Sequence, residues 1–180
     1  MIETEEGHNM KQKQSCNKLT LVLMIIYVIL ITWIILFKMQ LSMAGFGHMR
    51  SINLVPYGGS VIVNGKVDLS EIFQNILVFV PAGIYLCMLK GRLSIPKKIL
   101  LIASYSLFLE VMQYVLAVGA TDITDLIDNT LGGTIGIGIY AGASRLLRSE
   151  EKTNKVFNIL AAVGTACLCA LIFVLIVCNL

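Results

Sequence analysis

Five apolar stretches divide the chain, at positions 19–37, 69–89, 99–118, 125–147 and 156–177. Each is about as long as the ~20 residues that carry a helix across the ~30 Å hydrocarbon core of a bilayer. The pattern therefore predicts an all-α membrane protein, a bundle of about five transmembrane helices. Between the runs lie a polar tail (1–18) that reads as disordered, one long connection (38–68), a basic loop (90–98), a tight turn (119–124) and a second basic segment (145–155). The first run follows three lysines, as a secretory signal would. It is longer than a usual signal core, however, and no small-x-small cleavage site follows closely, so it reads as an anchor. Within it, Tyr27 and Trp33 read as interface anchors.

The connection 38–68 is not simply hydrophilic. Ile52, Leu54, Val55 and Tyr57, then Val61, Ile62 and Val63, flank a Pro56/Gly58/Gly59 turn. Irregular backbone enters a membrane only where protein or water satisfies its polar groups, which leaves two placements: on the bilayer surface or dipping into the bundle. The second run opens with Asp68 and Ser70 as candidate N-caps and Glu71 in the first turn. It carries Asn75, and Pro81 in mid-span should kink the helix or free a carbonyl for another partner. The fourth run holds two G-x-x-x-G spacings, 132/136 and 138/142, that predict close helix packing.

Composition adds weight to this reading. The chain is 57% hydrophobic and 14% charged, with a mean hydropathy of +0.82; soluble domains carry about 25% charged residues. The formal charge of +3 is small, and its placement argues for membrane orientation rather than nucleic acid. Eleven of the fourteen lysines and arginines fall in the tail and the two basic segments. By the positive-inside rule the N-terminus is then cytoplasmic, the C-terminus lies outside, and the 38–68 connection is extracytoplasmic. Of the five cysteines, Cys16, Cys87, Cys167, Cys169 and Cys178, none shows C-x-x-C spacing, and they read as small core or lipid-facing residues.

With that orientation, the polar residues inside the apolar runs collect at one end. Glu110 lies eight residues before the end of the third run, roughly 12 Å below the surface at 1.5 Å per residue. Gln113 shares its face, and Tyr114 follows at i+4, so the three form one polar stripe. Asp122 or Thr124 caps the fourth run, and Asp125, Asp128 and Asn129 share a face of it. Ionisable side chains inside a span cost at least a few kcal/mol, roughly 2.5–3.5 for Asp near a helix centre, and are rarely there for packing. The candidate pocket is thus Arg50, Asn53, Asn75, Glu110, Gln113, Asp122, Asp125 and Asn129. Three uses remain open: an Arg50 pairing that locks the connection to the bundle, a divalent-cation site at Asp122 and Asp125, or acid/base chemistry on a lipid head group. With only His8 and His48 in the chain, no Ser-His-Asp, Cys-His or H-E-x-x-H set exists.

The ordered motifs Arg50-x-x-Asn53-Leu54-Val55-Pro56-Tyr57, Asn75-Ile-Leu-Val-Phe-Val-Pro81-Ala-Gly83, Glu110-x-x-Gln113 and Asp122-Ile-Thr-Asp125-Leu-Ile-Asp-Asn129-Thr-Leu-Gly132 resemble the VanZ-like family of small bacterial membrane proteins. The resemblance covers about residues 50–142 and places a family domain over 38–148, flanked by the tail 1–18, the anchor 19–37 and a C-terminal linker and helix, 149–180. It implies a multi-pass protein of the bacterial cell membrane, associated with raised resistance to teicoplanin. The implied partners are the lipid bilayer and an envelope lipid or lipoglycopeptide; no cofactor is implied. Family members often carry an arginine shortly before the D-x-x-D motif, where this chain has Gly119-Ala120-Thr121. That leaves Arg50 the main candidate counter-ion.

Overall fold

The computed structural model describes residues 2–37, 49–57, 62–63, 66–67 and 69–178. Five helices account for most of them: α1 (Ile2–Phe37), α2 (Ser70–Leu89), α3 (Ile95–Leu116), α4 (Ile123–Leu147) and α5 (Glu150–Cys178). Four of these are long and apolar enough to cross a membrane, namely α1 over Lys18–Leu36, α2, α3, and α5 over Glu150–Val174. Helix α4 falls outside that set by composition, since five glycines as well as Asp125, Asp128 and Arg145 lower its hydropathy. At 25 residues it is nonetheless as long as its neighbours.

The polar tail is helical from Ile2 and continuous with the anchor. Its Glu, Lys, Gln and Met content suits a helix, and the apolar span supplies the nucleus that a short polar segment lacks. The 119–124 segment is not a tight turn: residues 119–122 belong to a strand, and Ile123 and Thr124 already belong to α4. Strand β4 (Val118–Asp122) pairs in parallel with β1 (Met49–Asn53), in the register Met49↔Val118 through Asn53↔Asp122. In the connection, β2 (Ile62–Val63) and β3 (Lys66–Val67) form a small antiparallel pair. Ala117 makes the entry to β4 possible by taking the left-handed conformation at φ 52° while its N–H returns to the last turn of α3. At the start of α2 the cap position is Leu69, without a side-chain cap bond, and Ser70 is already the first helical residue. Asp68 lies outside the described residues.

Helix α4 packs most closely against α2, and glycine is the reason. A Cβ on Gly132 would fall on the Ile76 carbonyl, one on Gly136 on the Val80 carbonyl, and one on Gly83 on the Gly133 carbonyl. A Cβ on Gly133 would instead press on the side chain of Ile102 in α3. The 132/136 spacing is therefore a packing device. Gly138 and Gly142 have nothing within 4 Å of where a Cβ would stand, so the second spacing is not.

Ile31, Phe79, Ile102, Leu109 and Ile137 fill the centre. Polar side chains tie the helices across it: Thr20 to Asn158 (3.0 Å), and Thr32 to Tyr105 (2.8 Å). Tyr27 belongs to this core and is not an interface anchor. Its hydroxyl donates to the Val78 carbonyl at 2.8 Å, and its ring lies 5.5 Å from that of Tyr85. The carbonyl it uses is the neighbour of the Leu77 carbonyl, which Pro81 leaves without a helical donor. Cys87 is buried, while Cys167, Cys169 and Cys178 are exposed free thiols; the Cys16 side chain lies outside the described set.

Candidate functional site

The last residue of β4 organises the site. Asp122 is also the N-cap of α4: its Oδ1 accepts from the Thr124 N–H at 2.7 Å. Oδ2 accepts from Asn53 Nδ2 at 2.9 Å, a contact set up by the strand register that places Asn53 opposite Asp122. The Asp122 N–H in turn donates to Glu110 Oε2 at 2.9 Å, and the Thr121 hydroxyl donates to the Glu110 carbonyl at 3.0 Å. Glu110, 2% exposed, thus holds the strand from below. Asp122 engages elements on three sides.

One turn further in, Asn75 Nδ2 donates to Asp125 Oδ1 at 2.7 Å and joins α2 to α4. On the α3 side, Asn129 Nδ2 meets Ser106 Oγ at 2.9 Å. Gln113 is buried but is aimed elsewhere: its Nε2 donates to the Ile35 carbonyl of α1 at 3.0 Å. The polar stripe expected along α3 is accordingly divided, with Glu110 and Gln113 buried and Tyr114 39% exposed. Arg50 lies in β1 opposite Gly119, and its side chain is outside the described residues.

Two residues beyond the expected set belong here. Asp128 is fully buried, and its Oδ1 accepts from the Tyr57 hydroxyl at 3.1 Å. The Tyr57 N–H donates to Thr124 Oγ1 at 2.9 Å, which fixes the end of β1 over the first turn of α4. The hydrogen bond to Asp128 pushes the Tyr57 hydroxyl above its ordinary pKa, with burial and the carboxylate charge acting in the same direction. Both residues were marked in the sequence, Tyr57 closing the R-x-x-N-L-V-P-Y motif and Asp128 three positions from Asp125.

Among the described residues, Gln113 Oε1, Asp128 Oδ2 and Asn129 Oδ1 are buried without a hydrogen-bond partner. All three are oxygens. The Ile35 carbonyl fixes Gln113 with its amide nitrogen toward α1, so its oxygen is an acceptor in want of a donor. A buried polar atom left in that state costs about 1–3 kcal/mol. The region is rich in acceptors and takes N–H, O–H or cationic partners most readily. Among the described residues, no three His, Cys, Asp or Glu side chains converge as a metal site would require. Both Asp122 oxygens already accept a hydrogen bond, one from the Thr124 N–H and one from Asn53 Nδ2. A separate cavity of about 460 Å³, lined by Tyr27, Ile31, Val78, Pro81, Tyr85 and Phe157 among others, shares no residue with this site.

The family described as VanZ/LLP1 matches residues 24–148, more than half of the chain and all of the segments that build the site. The chain belongs to the VanZ/LLP1 family. It is 33% identical to "Protein VanZ" of Enterococcus faecium over 137 residues, which is 74% of this chain and 80% of that protein. No solved structure matches it. The family match takes in the greater part of the α1 span as well as α2, α3 and α4, so Ile35, the partner of Gln113, falls inside the VanZ/LLP1 region.

Proposed function

We propose that this VanZ/LLP1 protein is a multi-pass protein of the bacterial cell membrane whose polar end faces outward and engages an envelope lipid or lipoglycopeptide, lowering susceptibility to glycopeptides such as teicoplanin. In this reading all five helices cross the bilayer, the N-terminus is cytoplasmic and the C-terminus outside. The distribution of lysine and arginine supports that orientation. Helix α4 crosses despite its aspartates because their faces are turned onto α2, α3 and Tyr57 rather than onto lipid. Arg50, Asn53, Asn75, Glu110, Gln113, Asp122, Asp125 and Asn129 remain the proposed pocket, with Asp128 and Tyr57 added.

The observation that carries the reading is the surplus of buried acceptor oxygens at one end of the bundle. A ligand bearing ammonium, amide N–H or sugar hydroxyl groups supplies the donors they lack. The family membership and the identity to Protein VanZ support the link to glycopeptides. The test is expression in a susceptible Gram-positive host with teicoplanin and vancomycin inhibitory concentrations as the readout. The wild-type chain raises the teicoplanin value, and Asn75→Ala or Asp128→Ala abolishes the rise at unchanged membrane levels; no change with the wild type, once insertion is confirmed, contradicts the proposal.

One observation favours a second reading, proton or ion coupling. Asp128 is wholly buried with one oxygen unpartnered and the other linked through Tyr57 toward the surface. A phenotype that varies with external pH and is lost in Asp128→Asn would select it.

A further inference from the structure

The segment that closes β1 carries an apolar cluster turned away from the protein. Leu54 is 73% exposed, Val55 64%, Ile52 56% and Tyr57 47%. This is not the slack of a free loop. Asn53 is held by Asp122, the Val55 N–H donates to Asn53 Oδ1 at 3.1 Å, and the Tyr57 N–H donates to Thr124 Oγ1 at 2.9 Å. Tyr57 is fixed further in a left-handed conformation at φ 58°. A rigid turn presents these side chains outward.

Its height along the bundle is also fixed. The partners of the turn are the cap and first turn of α4, and α4 runs parallel to α2 with Gly132 on Ile76 and Gly136 on Val80. The turn therefore lies level with the first two turns of α2, where Leu69 and Phe73 are 64% and 65% exposed. Helix α2 is long and apolar enough to cross a bilayer from Ser70 onward, so with α2 as a span that level is where it enters the bilayer.

The backbone decides between water and lipid. Across Val55, Pro56 and Tyr57, two N–H groups are taken by Asn53 and Thr124 and the third does not exist, because residue 56 is proline. Three consecutive residues thus need no water for their donors, which lowers the cost of moving this backbone out of the aqueous phase and leaves its carbonyls to the hydrated head-group layer.

We infer that residues 52–57 are a membrane-docking turn: Leu54 and Val55 insert into the boundary between head groups and acyl chains of the leaflet on that side and hold the β1–β4 pair against the bilayer surface. The occupant of the exposed face is lipid, so the polar residues beneath β1 lie beside the membrane interface. The inference rests on α2 and α3 as spans, but not on what the polar site binds or on the direction of insertion. It stands or falls separately from any drug phenotype.

The test uses the full chain with its single tryptophan replaced, Trp33→Phe, and Leu54→Trp or Val55→Trp added. It is reconstituted in phosphatidylcholine/phosphatidylglycerol vesicles, with Ser94→Trp in the basic loop as the aqueous control. The inference predicts blue-shifted emission from both positions, strong loss of emission with lipids brominated high on the acyl chain, less with bromine near the chain end, and little loss with iodide. The control shows the reverse. Iodide quenching without bromolipid quenching at 54 and 55 would overturn it by placing the turn in water. Protection from both quenchers that fades as protein is diluted in lipid would overturn it in favour of a second copy of the chain.

Discussion

Asn53 donates to the same aspartate, Asp122, whose other oxygen caps α4, so one carboxylate fastens β1 to the helix start. Removing it strikes both contacts. In Asp122→Ala the lost cap alone costs about 0.5–2 kcal/mol, and Asn53 loses its partner as well. Thermal unfolding in detergent should show a clear fall for Asp122→Ala and a smaller one for Asp122→Asn, which keeps an acceptor for the Thr124 N–H. Equal loss in the two variants would mean the charge, not the cap, is what counts.

The Asn75 to Asp125 bond ties α2 to α4 independently of the strand pair. A double-mutant cycle with Asn75→Ala and Asp125→Ala should give a coupling in the range of about 0.5–3 kcal/mol expected for residues in direct contact. Additive effects would contradict the contact.

The two glycine pairs of α4 should behave in opposite ways. Gly136→Ala places a methyl on the Val80 carbonyl and forces α2 and α4 apart, so it should lower the melting temperature sharply or block assembly. Gly142→Ala meets nothing and removes a helix-interior glycine, a gain of up to about 1 kcal/mol. Melting curves of the two single variants decide the matter.

How much of this was legible in the sequence differs from element to element. Four of the five spans were, because runs such as 69–89 and 156–177 carry their own length signal; the run 125–147 forms a helix of that length but is not apolar enough to stand with them. The polar end was also legible, because carboxylates and amides inside apolar runs stand out. The β1–β4 pairing was not. It joins residues 49–53 to 118–122 across most of the chain, and neither segment alternates apolar and polar positions over a strand's length. Ala117 hid the turn into β4, since a left-handed residue is usually announced by glycine. Tyr27 looked like an interface residue by type, yet its position in mid-span was the better guide. Asn129 stood out as an amide inside an apolar run, but its partner Ser106 on α3 was not visible, because serine is common in spans and nothing in one chain pairs it with a residue on another helix.

Tyr57 gives a pH prediction. Its hydroxyl donates only while neutral, and its pKa is raised in the folded protein. The contact with Asp128 therefore contributes fully below the ordinary tyrosine value of about 10 and is lost as pH rises through the higher folded value. Ultraviolet titration of the wild type against Tyr57→Phe should show one tyrosine ionising above the ordinary value. In Asp128→Asn that transition should move down toward it; no movement would remove Asp128 as the cause.

The central claim is that the end carrying Asp122, Asp125 and Asp128 faces out of the cell. A membrane-impermeant maleimide on intact cells tests it directly, with the five native cysteines replaced and a single thiol introduced by Ser70→Cys, at the start of α2, or Ser94→Cys, in the basic loop. With that end outside, Ser70→Cys is labelled in intact cells and Ser94→Cys only after permeabilisation. The opposite pattern would contradict it.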